Sequence, residues 1–123
     1  MATVVLSGAP ASHAPLQHLL PLLFQHLRQL DGPDVRVFEL ATTTLAYCQG
    51  EFDCWLKTPG TCRAHDAEED IVRAIHDADR LVLVDEATFG GYSYTVKRAV
   101  DRMLCLISPF FEKRMELTHH EPR

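Results

Sequence analysis

Long apolar runs are absent from this sequence: none approaches the ~20 residues a helix needs to cross a membrane, so no transmembrane segment is expected. The opening Met1-Ala2-Thr3-Val4-Val5-Leu6 lacks both the basic flank and the apolar length of a secretory signal, and the expected location is the cytoplasm. Positive charge is scarce as well. Twelve lysines and arginines face 17 acids, a net charge of −5, which speaks against general nucleic-acid binding because phosphate neutralisation needs a basic face. The cluster Lys97, Arg98, Arg102, Lys113 and Arg114 reads as solvated surface. Internal repeats and low-complexity tracts are missing. Cysteines number four, three of them crowded between Cys48 and Cys62, and in a reducing compartment they suggest metal, redox chemistry or inert thiols before structural disulfides.

What remains is an ordinary globular composition, 46% hydrophobic and 24% charged over 123 residues, enough for one domain that buries roughly 65% of its unfolded surface. The chain is organised around Leu81 to Ile107. Leu81-Val82-Leu83-Val84 reads as a buried strand, Asp85 to Tyr92 as a glycine-bearing loop, and Ser93 as the N-cap of an amphipathic helix with Val96, Ala99, Val100, Met103, Leu104 and Ile107 on one side. Lys97, Arg98, Asp101 and Arg102 fall on the other side. In open α/β sheets such a loop lies at the carboxyl edge of the strands, where ligands bind.

Upstream, Thr3 to Leu6 reads as a short parallel strand, followed by the turn Ser7-Gly8-Ala9-Pro10-Ala11-Ser12-His13. A strand, a turn and then a helix is where α/β proteins hold phosphate, because free amides and the helix dipole both point at the anion. A helix is expected over about Pro15 to Leu30, with Pro21 kinking it or delaying its start, and a second strand over Val35 to Leu40. Residues 41–65 show no clear period. Asp66 and Glu69 form a capping-box-like start for a helix to about Asp77. The order β-α-β-loop-α-β-α implies parallel strands with right-handed crossovers. After Ile107 no further strand is expected, and the provisional division is a domain over 1–111 and a charged tail over 112–123, with His119-His120 in a polar stretch.

The segment from Cys48 through Cys54-Trp55 and Thr58-Pro59-Gly60 to Cys62, with Ala78-Asp79-Arg80, Thr88-Phe89-Gly90-Gly91-Tyr92-Ser93 and Lys97 to Arg102, resembles the flavodoxin-like NAD(P)H-dependent FMN reductases and their iron-sulfur flavoprotein relatives. The resemblance implies a flavodoxin-like three-layer α/β sandwich on a parallel sheet of order 2-1-3-4-5, truncated here after the third strand and its helix. It places FMN at the carboxyl edge, with Ser7, Gly8, Ser12 and His13 at the phosphate turn and Thr88, Phe89, Gly90 and Gly91 in the ring loop. The implied reaction is hydride transfer from NAD(P)H through FMN to a small-molecule acceptor such as a quinone or free flavin, chemistry that the flavin carries without a protein acid, base or nucleophile.

Three departures accompany the match. Ala9, Pro10, Ala11, Ala14 and Pro15 deplete the phosphate turn of hydroxyls and of two amide donors; Asp85-Glu86 puts charge where an uncharged pair is usual; and strands 4 and 5 are lacking. The alternative is therefore a cofactor-free flavodoxin-like subunit serving as a scaffold. With the third strand an open edge, a second copy or another subunit is expected to complete the sheet. Glu51 stands where a cluster-binding relative has its second cysteine, so iron-sulfur and zinc are not expected, His65 being the one candidate fourth ligand. Trp55 reads as packing for the long loop, and Asp85 and Glu86 as loop acids that cap following backbone.

Overall fold

The structure, a computed structural model, describes all of residues 1–123. Its parallel sheet has the order β2-β1-β3, with β1 (Thr3–Ser7) hydrogen-bonded to both β2 (Val35–Glu39) and β3 (Arg80–Val84). All five residues of β1 are buried, as befits a central strand with both faces covered. Because side chains alternate along a strand, β1 feeds two cores. Val4 and Leu6 pack with Leu40, Leu45, Ile71, Val96 and Ala99 on one face, while Val5 packs with Ala9, Leu20, Leu27 and Val84 on the other. The first core is covered by α3 (Glu68–Asp77) and α4 (Tyr94–Asp101), the second by α1 (Ala14–Asp31). The strands are parallel, as the order of elements implies, and the layers are those of the flavodoxin-like sandwich that the resemblance implies.

Four local outcomes differ from the sequence reading. Pro21 neither delays nor breaks α1, which runs without interruption from Ala14 to Asp31. The ring lies on the exposed side, where water can take the carbonyl freed at Gln17. The helix after Ser93 ends at Asp101 and tightens into a 3₁₀ turn, Arg102–Leu106. In consequence Arg102 is turned inward and is almost completely buried, not solvated. Within 41–65, a single helical turn forms α2 (Asp53–Leu56).

The fourth difference is the largest. Residues 107–122 form an antiparallel hairpin, β4 (Ile107–Arg114) and β5 (Leu117–Pro122), a separate two-stranded sheet that does not join the parallel one. The provisional boundary between 111 and 112 falls inside β4, so the expected charged tail gives way to a strand pair. Its sequence signals are poor. Pro109 sits where the register is irregular, between Ile107 and Phe111, and the turn uses Met115 and Glu116 at positive φ (49° and 66°) with no glycine or asparagine. Tertiary contacts hold the hairpin in place. Trp55 Nε1 donates to the carbonyls of Leu104 (3.3 Å) and Ile107 (3.0 Å), its ring lies 5.3 Å from His120, and His120 in turn meets Phe111 at 4.4 Å. Trp55 does pack the long loop, and it also anchors the hairpin.

Candidate functional site

Parallel pairing of Ser7 with Val84 brings the ends of β1 and β3 to one edge, so the turn after β1 and the loop after β3 start side by side. Gly8 continues the ladder, its amide donating to the Val84 carbonyl at 2.8 Å. There is no room for a larger residue: a Cβ on Gly8 would stand 2.5 Å from Val96 Cγ2, 2.7 Å from Asp85 Oδ1 and 3.1 Å from Ser93 Oγ. Gly8→Ala is therefore expected to cost about 1–3 kcal/mol by overpacking, read as a lower urea midpoint with an unchanged m-value.

The turn itself is held from within. Ser7, 3% exposed, accepts from the Ala9 amide through its hydroxyl (3.4 Å), and the Gln17 side chain donates to the carbonyls of Ala9 (3.4 Å) and Pro10 (3.1 Å). His13 caps α1: its Nδ1 accepts from the Leu16 amide at 3.2 Å. With Nδ1 as acceptor, the neutral ring carries its proton on Nε2, and Nε2 stands 3.4 Å from the Glu86 carboxylate. The amides of Ala11, Ser12 and Ala14 have no acceptor within the protein, although Ala14 opens an 18-residue helix. Three unpaired N–H groups at the positive end of a long helix are a ready place for an anion.

Across the edge, Asp85 Oδ2 accepts from the Ser93 amide (2.5 Å), so this acid caps following backbone. Its other oxygen is buried without a partner. Ser93 does occupy the N-cap position of α4, but its hydroxyl bonds to Thr95 Oγ1 (2.8 Å) and not to the helix amides. Between them, Thr88 and Gly91 exchange backbone hydrogen bonds of 2.9 and 3.0 Å around Phe89 (φ 50°) and Gly90 (φ 77°). Both central residues at positive φ make this a tight type I′-like turn, the reason a glycine is needed at 90. The turn holds Phe89 fully exposed.

The structure thus brings Gly8 and His13 against the β3 loop through Asp85, Ser93 and Glu86, with Ser7 buried beneath and Ser12 exposed on the turn. Thr88, Phe89, Gly90 and Gly91 form a separate projecting turn, and no hydrogen bond ties it to residues 7–13. Sequence reasoning did not anticipate Gln17 as the brace of the turn or Glu86 as the partner of His13. Gln17 lies one helical turn beyond His13, which is the only sequence signal it carries.

Two cavities lie away from this edge. One, about 340 Å³, is bounded by α3, Gly60 to Cys62, Cys105, Leu106 and Arg123; the other, about 210 Å³, lies among the cysteines. No group of three or more His, Cys, Asp or Glu side chains is gathered so as to hold a metal ion. His65 pairs with Glu69, one helical turn on.

The geometry defines a flavodoxin-like α/β protein: an open parallel sheet with a helix-opening turn at the carboxyl end of its central strand and a second loop beside it. The chain belongs to the NADPH-dependent FMN reductase family, whose model matches residues 1–119 and so includes most of the hairpin. That family binds FMN and uses NADPH. No curated protein and no solved structure matches the chain. No helix is long and apolar enough to cross a membrane.

Proposed function

We propose that this chain is an FMN-dependent oxidoreductase of the cytoplasm that passes hydride or electrons from NAD(P)H to a small acceptor of the quinone or free-flavin type. The observation that carries the reading is the set of unpaired amides at Ala11, Ser12 and Ala14, at the opening of α1 and beside the β3 loop. The residues fit the phosphate end of FMN. Those amides, the Ser12 hydroxyl and the His13 ring would hold the phosphate, while Ser7 and Gly8 shape the turn beneath it. Thr88, Phe89, Gly90 and Gly91 would border the ring, Phe89 offering an exposed aromatic face. When bound, FMN supplies the hydride chemistry. The chain's own part is to bind, orient and exclude water.

Water exclusion calls for a second chain. Phe89 is uncovered, and β3 is paired only with β1, so its outer edge is open to another strand or subunit. We infer that a second copy or a separate subunit covers this edge and walls the ring site.

The test is a titration of FMN with the protein, followed by fluorescence quenching, and then NADPH oxidation by the loaded protein. Glu86 faces the phosphate turn at 42% exposure, so Glu86→Gln is expected to tighten FMN roughly tenfold by removing like charge, with little effect on folding. A second reading, a cofactor-free scaffold, is favoured by the turn's losses. Pro10 and Pro15 carry no amide, and the Ala9 and Leu16 amides are spent on Ser7 and His13. Absence of quenching by both the natural chain and the Glu86→Gln variant would select the scaffold.

A further inference from the structure

All four cysteines of the chain line one cavity of about 210 Å³, although Cys105 is 43 residues from the nearest of the others. None is in a disulfide: Cys48 is exposed, Cys62 half-buried, and Cys54 and Cys105 buried. Arg102 lines the same cavity with its side chain wholly enclosed. Its terminal nitrogens are spent on Asp66, Ala46 and Ala64, whereas its Nε–H has no acceptor. Cys62 shares the cavity wall with this guanidinium. Cys62 is half-buried and lines both this cavity and the larger one beside it, so a small oxidant can reach its sulfur next to Cys54 and Cys105.

Cys54 and Cys105 are enclosed more deeply than Cys62. Burial first, then the charges of Glu51, Cys62 and Cys48, raises the Cys54 thiol; burial first, then Cys54 and Cys62, pushes Cys105 up to about 11. They are poor first nucleophiles but can still serve as resolving partners. Cys54 and Cys62 line the same cavity, and the chain between them folds back, the Gly60 amide donating to the Cys54 carbonyl at 3.0 Å.

We propose that Cys62 is a peroxide-reactive thiol and that its oxidation ends in a Cys54–Cys62 disulfide. The Cys62 thiolate attacks hydrogen peroxide, the O–O bond breaks, and the departing hydroxide takes a proton to leave as water, giving a sulfenic acid. The Cys54 sulfur then attacks that sulfenic sulfur; the S–O bond breaks and the hydroxyl leaves as water with the Cys54 proton. In sum, two thiols and one peroxide give one disulfide and two waters. The site is a redox modification site distinct from the carboxyl edge, sharing none of its residues, and it needs no bound flavin.

The experiment treats the reduced chain with one equivalent of hydrogen peroxide, blocks remaining thiols with iodoacetamide and maps the peptides by mass spectrometry. The expected result is a Cys54–Cys62 bridged peptide within one chain, with Cys105 alkylated only after denaturation. Cys54→Ser should stop at the Cys62 sulfenic acid, captured as a single dimedone adduct, and Cys48→Ser should form the bridge as the natural chain does. Oxidation of Cys48 with Cys62 left reduced, or a bridge joining two chains, would overturn the proposal. Should Cys54→Ser fail to fold, the map of the natural chain decides alone.

Discussion

Arg102→Met is expected to remove about 3–5 kcal/mol of folding stability, enough to unfold much of the population of a domain this size. Arg102 donates to Asp66 Oδ2 at 2.6 Å, to the Ala46 carbonyl at 3.2 Å and to the Ala64 carbonyl at 3.1 Å, and so ties both ends of the long segment after β2 to the end of α4. Its side chain is fully enclosed, and that of Asp66 is 20% exposed. Removing the cation strands a carboxylate and two carbonyls away from most of the water. Lysine at 102 should recover little, because one ammonium on a flexible stem does not reproduce the fork that meets three acceptors. Asp66→Asn in the Arg102→Met background should recover part of the loss, since it removes the stranded charge. Urea unfolding of the three variants checks this.

The pair also sets a pH dependence at the acid end. Burial works to raise the Asp66 carboxyl, but hydrogen bonds from Arg102, Ala46 and Glu68 outweigh it and hold the group below its ordinary range. A carboxyl lowered in the folded state contributes stability above its unfolded pKa, and that contribution fades as pH falls through the folded value.

The second large effect has the opposite sign. Glu68 is 1% exposed, and neither of its carboxylate oxygens has a hydrogen-bond partner. Burial pushes its carboxyl up to about 8, against the smaller pull of Arg102 and with a further push from Asp66. Between the unfolded value of 4.5 and about 8, the folded chain keeps this proton while the unfolded chain releases it. Stability from this group is thus fully present below 4.5 and is lost as pH rises, at up to about 1.4 kcal/mol per pH unit, levelling above the folded value. Glu68→Gln keeps the shape of the neutral acid and cannot ionise. The variant should match the natural chain near pH 4 and exceed it by a few kcal/mol near pH 8. Parallel stability curves across that range would show that Glu68 ionises as freely in the folded chain as in the unfolded one.

Much of the fold was legible because periodicity survives in short, well-punctuated elements. Val35–Glu39 was read to within one residue, as were β1 and β3, since apolar runs bounded by turn residues leave few other options. The carboxyl-edge turns were legible for the same reason, as their glycines and prolines announce them. What escaped was every feature that depends on a distant partner. Arg102 looked like part of a solvated face because helical spacing groups it with Arg98, one turn before it, and away from Val96; a 3₁₀ turn and the reach to Asp66 turned it inward. Glu86 gave no sign of meeting His13, a contact made only once β1 and β3 align their ends. The hairpin was hidden by Pro109 and by a turn of Met115 and Glu116, residues that normally argue against such a structure.

By itself the sequence determined the layer order, the parallel strands and the position of the two edge loops, because a 3.6-residue or two-residue repeat is a local property that a buried face enforces wherever it occurs. Only the tertiary structure decided which acids meet which cations, that Cys105 joins the other three cysteines around one cavity, and that 107–122 pairs as strands over Trp55. Those outcomes rest on contacts between residues far apart in the chain. Their energy comes from desolvation and hydrogen bonding at the point of contact, which no local pattern encodes.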